Sequence, residues 1–202
     1  DCTEYRLAFR NITQSTNERT IISSAIPKGV VCHHALNTIR PYKIEPTEDS
    51  LEEDSLHSIY ERIFSDEELF VALGLLNSLP FDYLMRTKTE ENVVEAQAPH
   101  LTAGDDWFEF IWRRSARLNC YDDQFAEMRE RLDRIEPATD EEARIELHAE
   151  IDAAAFHAYG LNREETEFVL EDFYKVQNPR MMTDGYFDLA LKKYDNLLNK
   201  HK

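Results

Sequence analysis

The chain has 202 residues, 42% hydrophobic and 31% charged, and its 40 Asp and Glu against 23 Lys and Arg leave a net charge of −17. That charge argues against a generic nucleic-acid coat, a membrane-surface protein or an enzyme for acidic substrates, and the length allows one large or two small domains. Three widely spaced cysteines (Cys2, Cys32, Cys120) favour neither a zinc cluster nor a disulfide framework, and no apolar run approaches 18 residues, so the expectation is a cytoplasmic protein without a membrane partner.

Asp1 in place of an initiator Met is what a processed chain or a piece of a longer one would show. The charge is unevenly spread. Residues 1–45 hold six Lys/Arg and four Asp/Glu, a net of +2, whereas residues 46–202 hold 17 and 36, a net of −19. Contact with a polyanion is therefore easiest in the first 45 residues, and the acidic remainder reads as solvated surface.

In chain order, residues 5–12 alternate like a strand, with Tyr5, Leu7 and Phe9 against Arg6, Ala8 and Arg10. A polar stretch ending in Asn17-Glu18-Arg19-Thr20 follows. Residues 21–26 read as a second strand stopped by Pro27-Lys28-Gly29, and residues 30–39 as a third, together an antiparallel meander. Residues 45–55, EPTEDSLEEDS, form an acidic link.

The rest reads as helices. Ser65 and Glu68 form a capping box ahead of Leu69, Leu73 and Leu76; Asn77-Ser78 breaks that helix and Pro80 opens the next. Further helices are expected over 105–118, 122–135, 139–159 (opened by Thr139 with Glu142), 163–173 and from about 183. The predicted class is α+β: an N-terminal β segment over 1–44, an acidic linker over 45–64, and a helical body over 65–202 packed with the sheet.

Five glycines leave no phosphate loop or dinucleotide fingerprint, and the chain has no Asp/Glu-x-Lys triplet, His-Glu-x-x-His or Gly-x-Ser-x-Gly. Cys32-His33-His34 is the one ligand-like cluster, and on a strand only Cys32 and His34 would share a face, too few for zinc. Paired acids (Asp105-Asp106, Asp122-Asp123, Glu141-Glu142, Glu164-Glu165) stand at predicted helix starts, where they complement the dipole. The candidate DNA contacts are Arg6, Arg10, Arg19, Lys28, His33, Arg40 and Lys43, chosen by charge and by placement on strands and turns; the same basic residues equally fit the wet face of a small sheet. Arg19 is either a DNA contact or the partner of Glu18 or another carboxylate that holds the turn.

Four stretches resemble one family. They are Tyr5–Thr20 with Ala25–Val31 (YRLAFRNI, TNERT, AIPKGVV), residues 73–84 (LGLLNSLPFDYL), residues 144–161 (RIELHAEIDAAAFHAYGL) and residues 164–173. In this order they are similar to the region after the catalytic domain in large adenine-specific DNA methyltransferases, among them type IIG restriction-modification enzymes and related phage-defence methylases. Asn11 stands where that family usually has Asp, and Lys28 where a second Pro is common.

The resemblance implies a target-recognition fragment that positions double-stranded DNA, with no catalytic, cofactor or metal residue of its own. An upstream methyltransferase domain would supply S-adenosylmethionine chemistry, with magnesium in a parent that also cleaves. Two other readings stand beside it: an acidic helical protein-interaction module without DNA binding, and a small metal nuclease using His33, His34 and Asn37.

Overall fold

The alternation at the N-terminus folds as a strand, β1 (Arg6–Arg10), with Leu7 on one face and Arg6 and Ala8 on the other. The computed structural model describes residues 2–11, 17–46, 48–49, 60–88 and 98–200. In it β1 lies between β2 (Ser23–Ile26) and β3 (Leu36–Ile39), antiparallel to both. The order β2-β1-β3 replaces the expected meander, because the chain leaves β2, crosses β1 and pairs on its far side.

Arg6 accounts for the crossing. Its guanidinium donates to the Val30 carbonyl and to Cys32 Sγ at 3.7 Å, and the side chain is buried beneath the connection. The third strand is accordingly short. Gly29 turns at φ 80°, and the Leu36 amide closes a turn onto the His33 carbonyl at 2.9 Å, so residues 30–35 do not alternate. The His33 and His34 rings lie 3.8 Å apart instead of on opposite faces.

A second, two-stranded sheet joins β4 (Tyr42–Ile44) to β5 (Tyr60–Arg62), which sets a strand inside the expected 45–64 linker. The remainder of that linker at 47 and 50–59, and the expected strand end at 12, lie outside the described residues.

Seven α-helices follow among the described residues: α1 (Asp66–Leu76), α2 (Leu79–Lys88), α3 (Asp106–Asn119), α4 (Ala126–Arg131), α5 (Glu141–Ala158), α6 (Arg163–Glu171) and α7 (Asp184–Lys200). The class is α+β with a helical body. Ser65 caps α1 with Glu68 in a reciprocal box, as expected. Asp140, not Thr139, caps α5, accepting the Ala143 amide at 2.9 Å. The expected helix over 122–135 is a 3-10 turn (Asp123–Phe125) running into α4, stopped by left-handed Asp133 and Arg134. Its stripe of Phe125, Met128 and Leu132 is nevertheless buried.

Tyr5, Leu7 and Ala25 of the strand segment share one apolar core with Phe70 and Leu73 of α1, Ile111 of α3, Phe156 of α5 and Phe187 of α7. Each fully buried large side chain contributes about 1.5–3 kcal/mol. Gly74 lets α1 approach α3 closely: a Cβ there would stand 2.5 Å from Ile111 Cγ2. No single helix among the described residues is long and apolar enough to cross a membrane.

Candidate nucleic-acid interface and the buried junction behind it

The Asn17-Glu18-Arg19-Thr20 turn faces inward and bonds to α2, to α5 and to the segment just ahead of α7. The Arg86 guanidinium on α2 donates to the carbonyls of Asn17 (2.8 Å) and Glu18 (2.7 Å). Asp82, fully buried one turn earlier, accepts the amides of Thr20 at 2.7 Å and Ile21 at 2.9 Å and pairs with Arg86 Nε at 3.1 Å. The Glu18 carboxylate accepts the amides of Met181 and Met182, both at 2.7 Å, ahead of α7. Burial opposes that charge, but the amides of 182, 181 and 180 outweigh it and hold the carboxyl below its usual range.

Arg19 enters the core. Its Nη2 lies 3.8 Å from Oδ2 of Asp152 on α5, and Nη1 is buried without a hydrogen-bond partner among the described residues. Asp152 also accepts the Leu79 amide at 2.8 Å and the Tyr186 hydroxyl of α7. Burial pushes Asp152 upward despite Arg19, and burial beside Asp152 keeps the Tyr186 proton on. His148, one turn before Asp152, is pushed down to about 3 by burial and by the Arg19 and Arg144 cations. Asp152 and Tyr186 are buried and Arg19 and His148 half-buried, and the arrangement ties sheet to helices. Arg19 thus holds the turn, with Asp152 as its carboxylate instead of Glu18.

Two asparagines close one sheet edge. The Arg10 amide bonds the Ile22 carbonyl at 3.1 Å, so the backbone groups of Ser23 and Ala25 point away from β1. Asn77, which caps the end of α1, accepts the Ser23 amide at 3.0 Å and donates to its carbonyl at 2.9 Å, as a neighbouring strand would. Asn119, the last residue of α3, accepts the Ala25 amide at 3.5 Å.

The seven candidate DNA contacts separate into three groups. Arg6 and Arg19 are internal and present no guanidinium to a duplex. Lys28 is held by Glu127 (2.9 Å) and Glu4 (3.3 Å), which raise its pKa against the burial that lowers it. Lys43 is held by Glu45 (2.5 Å) and by Glu61 across the β4–β5 pair (3.2 Å). Arg10, His33 and Arg40 are exposed, and among the described residues no ion pair occupies Arg10 or Arg40. They lie around β3, and residues 19–44 contain no Asp or Glu in a chain with 40. His33 and His34 form no metal cluster with a third ligand among the described residues, and Asn37 is engaged with Asn11 at 3.1 Å.

No protein-family model, curated protein or solved structure matches this chain.

Sequence reasoning missed Asp82, Asp152, Asn77 and Asn119. A signal was present for the acids: Asp82 in LPFDYL and Asp152 in IDAAAF are carboxylates inside apolar helical runs, where burial demands partners.

Proposed function

We propose that the chain is the DNA target-recognition and C-terminal fragment of an S-adenosylmethionine-dependent adenine DNA methyltransferase or restriction-modification enzyme, orienting duplex DNA for a catalytic domain elsewhere. The observation that carries this reading is convergence. The four stretches behind the resemblance meet around the 17–20 turn: Asp82 from 73–84 accepts the Thr20 amide, Asp152 from 144–161 faces Arg19, and Phe173 from 164–173 lies 4.4 Å beneath Arg86, which holds the Asn17 and Glu18 carbonyls. Stretches that resemble the family in sequence order and are joined in space support this reading.

DNA would then lie against the acid-free stretch around β3, where Arg10 and Arg40 take phosphates and His33 stands beside them. The acidic body would repel DNA at long range, so affinity in the parent enzyme comes largely from other domains.

The test is fluorescence anisotropy with a labelled DNA duplex between about 50 and 200 mM salt. The chain should bind weakly and lose affinity steeply with salt. Arg10→Ala with Arg40→Ala should flatten the logarithmic salt slope by about 2, one for each phosphate contact removed. No binding at the lowest salt, or an unchanged slope, overturns the assignment.

A further inference from the structure

The two edges of the three-stranded sheet differ. The β2 edge is closed by Asn77 and Asn119. No strand pairs with the β3 edge among the described residues, and the direction of that edge follows from one bond: the Asn11 amide donates to the Ala35 carbonyl at 2.9 Å. With the register Phe9↔Asn37 and Leu7↔Ile39, the backbones of residues 35, 37 and 39 face β1. Those of Leu36, Thr38 and Arg40 face outward. The Leu36 amide is used by the turn to His33, but the Thr38 amide and carbonyl have no partner among the described residues.

All four residues of β3 are exposed, including Leu36 at 36% and Ile39 at 38%, and Val31 in the preceding connection is 82% exposed. An open edge of this kind pairs with another strand unless it is blocked, and β3 carries neither a proline nor a charged side chain. Arg10 pairs with Leu36 at one end, and Arg40 follows Ile39 at the other.

We infer that the open edge of β3 is a docking strand for an extended peptide with an aliphatic centre and acidic residues at both ends. Three observations select this partner. The edge presents both a donor and an acceptor at Thr38, which a peptide backbone matches, whereas duplex phosphates would engage the Arg10 and Arg40 side chains and leave the Thr38 amide and carbonyl unmatched. The exposed Leu36 and Ile39 reward apolar side chains. Arg10 and Arg40 at the two ends, with no carboxylate from 19 to 44, reward acidic flanks and disfavour a second copy of the basic edge. This site goes beyond DNA contact and is separable from it: strand addition needs the Thr38 amide, whereas phosphate contact needs only the arginine side chains.

The experiment titrates the whole chain into a fluorescein-labelled Glu-Glu-Val-Thr-Val-Thr-Glu-Glu peptide and the same peptide with Lys for Glu. Thr38→Pro removes the outward amide and leaves the amides facing β1 intact, a substitution that edge strands tolerate. Saturable binding of the acidic peptide is expected, weakened about tenfold or more by Thr38→Pro with unchanged circular dichroism. Arg10→Glu with Arg40→Glu should reverse the preference towards the lysine peptide, an independent readout if the proline variant fails to fold. Absent saturable binding, equal binding by a folded proline variant, or an unreversed preference overturns the inference. So does a dimer that Thr38→Pro dissociates, or duplex binding lost in Thr38→Pro, since either gives the edge to another occupant.

Discussion

Asp82 Oδ1 accepts the Thr20 amide at 2.7 Å, and with it the Ile21 amide, so one buried carboxylate on α2 fixes the chain entering β2. Its other oxygen is met by Arg86, which holds the two preceding carbonyls. The turn is a clamp between strand segment and helices, built with both signs of charge so that neither is buried alone.

Asp82→Ala should therefore destabilise strongly. It strands two amides and an inward guanidinium, at a cost of about 3–5 kcal/mol. Asp82→Asn keeps an acceptor and should lose less. Urea unfolding followed by circular dichroism measures both; a loss under about 1 kcal/mol for the alanine variant would remove the clamp from this account.

Asn77→Ala should expose the β2 edge and leave the Ser23 backbone unmatched, a loss of about 1–3 kcal/mol. Hydrogen exchange localises the effect: the Ser23 amide should exchange faster while the Asn37 amide, which faces β1, stays protected. Equal exchange in variant and parent would show that water replaces Asn77 without loss.

Gly74→Ala tests the α1–α3 approach. Alanine favours a helix, but its Cβ meets Ile111 Cγ2 at 2.5 Å in a filled core, so the net effect should be a loss of about 1–3 kcal/mol. Adding Ile111→Ala removes the opposing methyl, and the two changes together should cost less than their sum. Additive losses in a double-mutant cycle would contradict direct contact.

Acid sensitivity should begin near the ordinary histidine range. His148 is a base whose folded pKa is depressed to about 3 from 6.5, so below 6.5 the unfolded chain takes up a proton that the folded chain refuses. Stability then falls with pH, by up to about 1.4 kcal/mol per unit. Glu18, an acid held below its ordinary value, adds a loss only as pH falls through the carboxylate range, whereas raised Asp152 acts in the opposite sense there. The urea midpoint should therefore drop between pH 7 and about 5 in the parent and much less in His148→Gln. Equal slopes would contradict a buried neutral imidazole.

Much of the helical body was legible from local pattern. The Ser65–Glu68 box, the break at Asn77-Ser78 and the stripe of Leu147, Ile151, Ala154, Ala155 and Ala158, buried except for half-buried Ala158, needed only capping chemistry and the 3.6-residue period. The sheet was less legible. Val30 to Ile39 has the composition of one strand, but Arg6 captures the Val30 carbonyl and bends residues 30–35 over β1, a contact no local pattern encodes. The basic set was read by charge alone, and charge does not say which way a side chain points. Arg6 and Arg19 turned inward because Val30 and Asp152 waited there, leaving Arg10, His33 and Arg40 outside.

By itself the sequence determined the α+β class, the Ser65 helix cap and the separation of a weakly basic N-terminal segment from an acidic body, because these depend on neighbouring residues and on composition. Only the tertiary structure decided the β2-β1-β3 order, the inward role of the 17–20 turn, and the contrast between a sheet edge sealed by two asparagines and one left open. Those depend on partners distant along the chain, where a buried charge or unpaired amide finds its match only after the elements have packed.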